Sequence, residues 1–252
     1  MQTLPDLRRQ THPSIGVCLS LLCPEVIEVC GVLGFKWVLL DAEHTPLDHA
    51  ACRNLVRAAD VVGLPCIVRV PEIRASVVEG FLDSGALGII APNVSSAADA
   101  AALVAAVKFS PEGQRGAGSR TRAARYGVAE SQGTFYRGSN ATTLTVALIE
   151  SRTGIDALEA IMDVPGLDYV AIGANDLALS MGVQAPLGNP TFQALLADTH
   201  ARIKARRKPR VAVVTDSAQA NEAIAAGAHL LAIPDTMLLA DAARTFLARL
   251  SV

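Results

Sequence analysis

Aromatic residues are scarce in this sequence. Phe, Tyr and Trp make up 4% of its 252 residues, and the one Trp is Trp37. Any core must therefore be assembled from Ala, Val, Leu and Ile, and a composition of 51% hydrophobic and 18% charged residues is that of a folded chain rather than a disordered one. Charge of one sign is also lacking, since 22 Lys plus Arg face 24 Asp plus Glu. A net charge of −2 supplies no global field to hold nucleic acid or an anionic membrane surface. No apolar run reaches the ~20 residues of a membrane span. Among the five cysteines, Cys18, Cys23, Cys30, Cys52 and Cys66, there is no Cys-x-x-Cys spacing. Buried thiols in a reducing compartment account for them better than a zinc or redox site. IGVCLSLLC, after Arg8 and Arg9, is too short for an export signal and runs at once into PEVIE, so it reads as a first strand and its loop. A cytoplasmic protein with a small-molecule partner, no nucleic acid and no membrane is the expectation.

What the chain does have is alternation. SIGVCLS, FKWVLLD, PCIVRV, ALGIIAP, LTVALIE, DYVAIG, PRVAVVT and HLLAIP are continuous apolar runs, the pattern of strands buried on both faces. Between them lie Ala/Leu-rich stretches, several ending in Gly as helix C-termini do, among them GIDALEAIMDVPG and a longer helical region from Asn175 to Arg206. About eight strand-helix units in series close a (β/α)₈ TIM barrel, an α/β fold expected to span 1–252 as a single domain. An open doubly wound sheet is the competitor, but it normally carries a glycine fingerprint after its first strand, where this chain has SLLCPE. RGAGSR follows SPEGQ rather than a strand, which removes it as a dinucleotide loop. KARRKPR reads as the solvated end of a helix. The Gly/Ser/Arg-rich stretch 110–143 is an unusually long connection, expected to be functional or to hold short elements of its own.

In such a barrel chemistry sits at the C-terminal ends of the strands. Those ends carry Asp41, Glu43 and His44 after the second strand, Arg69 on the third, Glu150 on the fifth and Asp176 just past the sixth. Glu150 and Asp176 come from adjacent strands, and two carboxylates at one mouth repel unless one is protonated or a cation lies between them. With oxygen donors alone, the cation that fits is Mg²⁺ or Mn²⁺. Structural alternatives exist: Glu150 could pair with Arg152, and Asp176 could cap the helix of DLALSMG. Arg69 offers a planar donor fork to a carboxylate or enolate oxygen, or forms a rim ion pair. His44 is the candidate base. Asp83 lies at a helix end, where a carboxylate is disfavoured by the dipole, which hints that it is needed there.

These residues come in a recognisable order. GFKWVLLDAEHTP, IVRVPE, LDSGALGIIAPNV, PEGQRGAGSR, ALIESRTGIDALEAI and VAIGANDLALSMG together resemble the HpcH/HpaI aldolase family over nearly the whole chain. The resemblance implies a (β/α)₈ barrel, a homotrimer or homohexamer, that reversibly cleaves 4-hydroxy-2-oxo acids to pyruvate and an aldehyde through an enolate. It implies a divalent metal, Mg²⁺, Mn²⁺ or Co²⁺, on Glu150 and Asp176. His44 becomes the base acting through water, with Asp41 and Asp83 supporting it. Arg69 binds the keto oxygen, and amides at Ala174 and Asn175 take the pyruvate carboxylate. Leu148 stands where many members carry Gln, on the same side of its strand as Glu150, so one polar contact to the keto acid is absent. Ala42 replaces a common Gly, and Ala174-Asn175 a common Pro-Ala or Pro-Asn. Acyl-CoA cleavage or decarboxylation of an oxaloacetate-like acid could use the same enolate site, with the Arg-rich stretch 115–125 as the CoA or phosphate contact. A barrel that binds keto acids without turnover is the third reading.

Overall fold

The computed structural model describes Leu7 and residues 12–185 and 188–250, so Arg8 and Arg9 lie outside the described residues. Eight parallel strands close a barrel in chain order: β1 (Ser14–Leu19), β2 (Val38–Asp41), β3 (Cys66–Arg69), β4 (Gly88–Ala91), β5 (Leu144–Ile149), β6 (Tyr169–Ile172), β7 (Arg210–Val213) and β8 (Leu230–Pro234), with β8 pairing back onto β1. Each expected strand is present. β2, β4 and β5 are buried at every position, which is why their sequences run apolar without alternation. Leu39, Ile67, Ile90, Val146, Leu148, Tyr169, Ala171, Val211, Leu230 and Ala232 fill the interior. A larger apolar layer between strands and helices surrounds them.

The helices are α1 (Pro24–Leu33), α2 (His49–Val61), α3 (Ala75–Asp83), α4 (Ala97–Val107), α5 (Gln132–Thr142), α6 (Arg152–Asp156), α7 (Leu158–Met162), α8 (Ala174–Ser180), α9 (Pro190–Ala205), α10 (Ser217–Ala225) and α11 (Asp235–Leu247). Local chemistry sets many of their starts. Asp48, Ser96, Ser151, Asn189 and Asp216 each accept a hydrogen bond from an amide in the first turn of the helix that follows. Gly34, at φ 99°, ends α1 in the left-handed conformation that a residue with a Cβ resists. Two helical stretches are divided. The helical region expected from Asn175 to Arg206 holds two helices, α8 and α9, separated where Gly182 takes a positive φ and Asn189 caps α9. GIDALEAIMDVPG is also divided, at Ala157, whose ψ of 9° leaves the helical range. The connection 110–143 holds a 3-10 turn at Arg125–Gly127 and then α5. All five cysteines are free, and all but Cys23 are buried. No helix among the described residues is long and apolar enough to cross a membrane.

The last helix departs from the barrel pattern. β8 ends at Pro234 and α11 begins at Asp235, so no loop separates them. A helix that follows a strand without a turn has no residues with which to fold back. Asp235 docks, accepting hydrogen bonds from the amides of Ser20 and Leu21, and Leu238 packs on the outer core. From Asp241 onward every described residue is exposed, Phe246 and Leu247 included. On the neighbouring flank, Val29, Val32 and Leu33 of α1 are bare as well.

Candidate active site

The register of β2 on β3 sets Asp41 beside Arg69. Asp41 accepts from Arg69 Nε at 2.9 Å and from Nη2 at 2.7 Å, a bidentate pair that fixes the plane of the guanidinium. Its Oδ1 also accepts from the amides of Glu43 and His44, so the same carboxylate shapes the loop after β2. Burial works against charge on Asp41, yet its bonds to Arg69 and the two amides outweigh it and hold the carboxyl below its ordinary range. Burial likewise opposes the Arg69 cation, and Asp41 and Glu43 reverse the sign, leaving it raised. Glu43 lies 3.2 Å from Arg69 Nη1 and 3.7 Å from His44 Nε2, through an oxygen that is buried and makes no hydrogen bond. Proximity there is ionic, without the alignment of a hydrogen bond.

Across the mouth, Glu150 is buried, and its Oε1 accepts from the amide of Asn93 at 2.8 Å. Burial, then the nearby carboxylates of Glu43 and Asp176, raise its carboxyl above the usual range against the pull of the Asn93 amide and Arg69. Glu43 is raised too, by burial first and by Asp41 and Asp176. Gly173 makes this packing possible. A Cβ there would stand 2.5 Å from Glu150 Oε2, so the absent side chain is what gives the carboxylate its place at the end of β6. Asp176 is exposed in the first turn of α8, a helix whose N-cap, Gly173, offers no side-chain acceptor. Four acids thus gather at the mouth, two of them, Asp41 and Glu43, against Arg69. Oxygen donors on adjacent strand ends, repelling one another over a short distance, suit a hard divalent cation that takes two protein carboxylates and fills its other positions with water or substrate.

Several expectations meet a different geometry. Asp83 does not reach His44 within one chain. It ends α3, and each helix runs opposite to its strand, so Asp83 lies at the closed end of the barrel, where Arg115 donates to its Oδ1 at 2.8 Å. That guanidinium answers the unfavourable helix-end carboxylate that the sequence flagged. Nor does Asp41 touch the His44 ring; it holds the loop backbone and Arg69, while the ring faces Glu43. The stretch 115–125 lies at the closed end too, with Arg122 bonded to Asp60 and to the Ser84 carbonyl, which removes it as a CoA contact of this mouth within the chain. Arg152 pairs with Asp156 and not with Glu150. Asp176 is a first-turn acid rather than the cap. His44 stands exposed at the rim, Leu148 is buried in the interior below Glu150, and Ala174 and Asn175 open α8. The sequence offered no hint of the Asn93 amide, which depends on a positive φ of 57° at Asn93, or of the anchoring by Asp235.

Comparison with known proteins gives this mouth its relatives. A family model described as HpcH/HpaI aldolase/citrate lyase matches residues 15–242. A 2-keto-3-deoxy-L-rhamnonate aldolase of Klebsiella pneumoniae is 32% identical over 238 residues, covering 94% of this chain and 87% of that protein. The protein of the same name from Escherichia coli K12 is 33% identical, covering 93% and 87%. A crystal structure of a family member from Burkholderia cenocepacia superposes with a TM-score of 0.89 at 30% identity, covering 96% of each chain. With the model spanning β1 to α11 and relatives above 30% identity along nearly its whole length, the chain belongs to the HpcH/HpaI aldolase/citrate lyase family.

Proposed function

We propose that this protein is a divalent-metal-dependent aldolase that reversibly cleaves 4-hydroxy-2-oxo acids into pyruvate and an aldehyde. The observation that carries the reading is the uncompensated acid at the mouth, where buried Glu150 is raised by burial and by Glu43 and Asp176 with a single arginine nearby. Glu150 and Asp176 are the residues to hold Mg²⁺, Mn²⁺ or Co²⁺, and the space left by Gly173 accommodates the Glu150 carboxylate. When bound, the cation supplies Lewis acidity for a keto oxygen. Arg69, locked by Asp41 through Nε and Nη2, keeps further N–H groups to donate to the C2 oxygen as charge develops there. The amides of Ala174 and Asn175 receive the carboxylate, and Leu148 forms an apolar floor. His44, exposed at the rim, moves the proton of the C4 hydroxyl through water. The decisive assay follows exchange of the pyruvate C3 protons into D₂O. Exchange should vanish on full chelation and return with Mn²⁺; exchange that persists without metal overturns the mechanism, and binding of pyruvate with no exchange under any metal leaves a barrel that only binds keto acids.

The expected homotrimer or homohexamer has support in α11. Its bare apolar turns and the bare flank of α1 in a second copy are complementary, and a reciprocal exchange of this kind is two-fold, which favours the hexamer of the two. Light scattering should give a hexameric mass for the full chain and half of it for a chain ending at Ala240. An unchanged mass sinks this assembly.

A further inference from the structure

The reaction proposed above contains a proton step to which no group has been assigned. Pyruvate must lose a C3 proton to become an enolate, and cleavage leaves an enolate whose C3 must gain one. The titratable groups of the mouth differ in what they have free. Both oxygens of Asp41 are engaged, by Arg69 and by the amides of Glu43 and His44. Glu150, held by the Asn93 amide, and Asp176 are given to the cation. His44 serves the C4 hydroxyl at the rim. The Cys18 thiol faces the interior, and burial, then Asp41, pushes it up to about 12, which leaves it neutral. Glu43 remains, and its Oε2 is buried without a hydrogen bond. A buried carboxylate oxygen without a donor is costly to keep in a fold and calls for an explanation.

The position of that oxygen supplies one. Asp41 takes Nε and Nη2 of Arg69, so Nη1 is the nitrogen left whole for the C2 oxygen. Glu43 Oε2 stands 3.2 Å from the same Nη1, in an ionic contact that is not a hydrogen bond. An oxygen accepting from Nη1 sits about 3 Å from it, and C3 is only two bonds from that oxygen. Arg69 therefore gathers C3 and the free Glu43 oxygen around one nitrogen. The Glu43 amide donates to Asp41 Oδ1 at 3.1 Å, so the carboxylate that aims the guanidinium also fixes the loop from which Glu43 reaches. Burial outweighs Arg69 and His44 and raises the Glu43 carboxyl, which brings it nearer the range in which a group both takes and returns a proton. His44 Nε2, 3.7 Å away on a ring open to solvent, gives that proton a way out.

We propose that Glu43 is the catalytic residue that carries the proton to and from C3 of pyruvate. The inference rests on the aldolase reading and fills its unassigned step. In exchange, the C3–H bond breaks, the proton passes to the Glu43 carboxylate, and the electron pair moves through C2 onto the oxygen at Arg69. A solvent deuteron then replaces the proton on Glu43 and returns to C3. In cleavage, Glu43 enters protonated and gives its proton to the enolate carbon that the departing aldehyde leaves behind. Atoms and charge balance with no further reactant.

The test follows C3 exchange of pyruvate in D₂O by mass spectrometry, with the Mn²⁺-loaded full chain. In Glu43→Gln the exchange turnover should fall about a hundredfold or more, the scale of a lost general acid-base group. The KM for pyruvate and the Mn²⁺ affinity, read from the signal of free Mn²⁺, should stay within about threefold, because Arg69, Glu150 and Asp176 remain. Glu43→Asp, which keeps a carboxylate and withdraws it by one methylene, should retain at least tenfold more exchange than Glu43→Gln. Where Glu43→Gln does not fold, Glu43→Ala takes its place with the same expectations. Exchange within threefold of the natural chain overturns the inference. So does a fall in exchange matched by an equal loss of pyruvate and Mn²⁺ affinity, which would make Glu43 a support for Arg69 alone. In both cases exchange by the natural chain keeps the aldolase reading intact, and its absence there defeats both.

Discussion

At the closed end of the barrel Arg115 meets Asp83, Arg122 meets Asp60 and Arg206 meets Asp163, one acid to each base. At the candidate site of the open end Arg69 faces both Asp41 and Glu43, with the carboxylates of Glu150 and Asp176 close to Glu43. Both ends are built from the same strands, and the difference lies in what the charges are for. Paired charges at the closed end satisfy helix ends and the long 110–143 connection, so they serve the fold. Unpaired acid at the open end is held together by covalent connection and packing against its own repulsion, and on the proposed function that repulsion is what a bound divalent cation relieves.

If the two ends divide in this way, a change at the mouth should cost activity and spare stability. Glu150→Gln removes a buried, repelled carboxylate while keeping the hydrogen bond from the Asn93 amide. We expect kcat/KM for retro-aldol cleavage to fall about a thousandfold, roughly 4 kcal/mol of transition-state stabilisation. Thermal unfolding should show a midpoint unchanged or raised. A variant that loses stability along with activity would place Glu150 among the structural charges.

The reverse should hold at the closed end. Arg122→Ala leaves Asp60 and the Ser84 carbonyl without their donor in a half-buried setting. The expected loss is about 2 kcal/mol in urea unfolding, with turnover per folded molecule within about threefold of the natural chain. A large fall in kcat of the folded fraction would break the division.

How much of this could be read in the sequence follows the same line. The eight strands were legible because parallel strands buried on both faces must be apolar throughout, and the strand ends located Asp41, Arg69, Glu150 and Asp176 by simple counting. Partners were not legible. Asp83 announced itself as a misplaced carboxylate, but whether Arg115 or His44 answered it depends on which end of the barrel α3 reaches and on where residues 110–143 return. Asp41 likewise looked like a partner for the neighbouring His44, whereas the register of β2 on β3 gives it to Arg69, 28 positions away. The departure of α11 is encoded by an absence, the missing loop at Pro234-Asp235, and an absent loop is invisible until the strand's end is known.

One charge at the closed end breaks the pattern and gives the finest test of it. Arg210 is buried at the start of β7 with no acid beside it among the described residues; its guanidinium donates to the Ala223 carbonyl and faces His200 Nε2 at 3.4 Å. Burial, then Arg210, lowers His200 to about 4 from 6.5. Since the folded value lies below the unfolded one, the unfolded chain takes up the proton first. The stability contributed by neutral His200 is therefore complete above about pH 6.5 and is lost as pH falls through 4. Linkage puts the loss near pH 5.5 at about 1.4 kcal/mol. Urea unfolding of the natural chain and of His200→Gln between pH 7 and pH 5 reads it directly, because the variant lacks only this proton. Parallel profiles would mean that His200 is protonated in the fold beside an unpaired arginine, and then the closed end would carry an excess of one charge sign of its own.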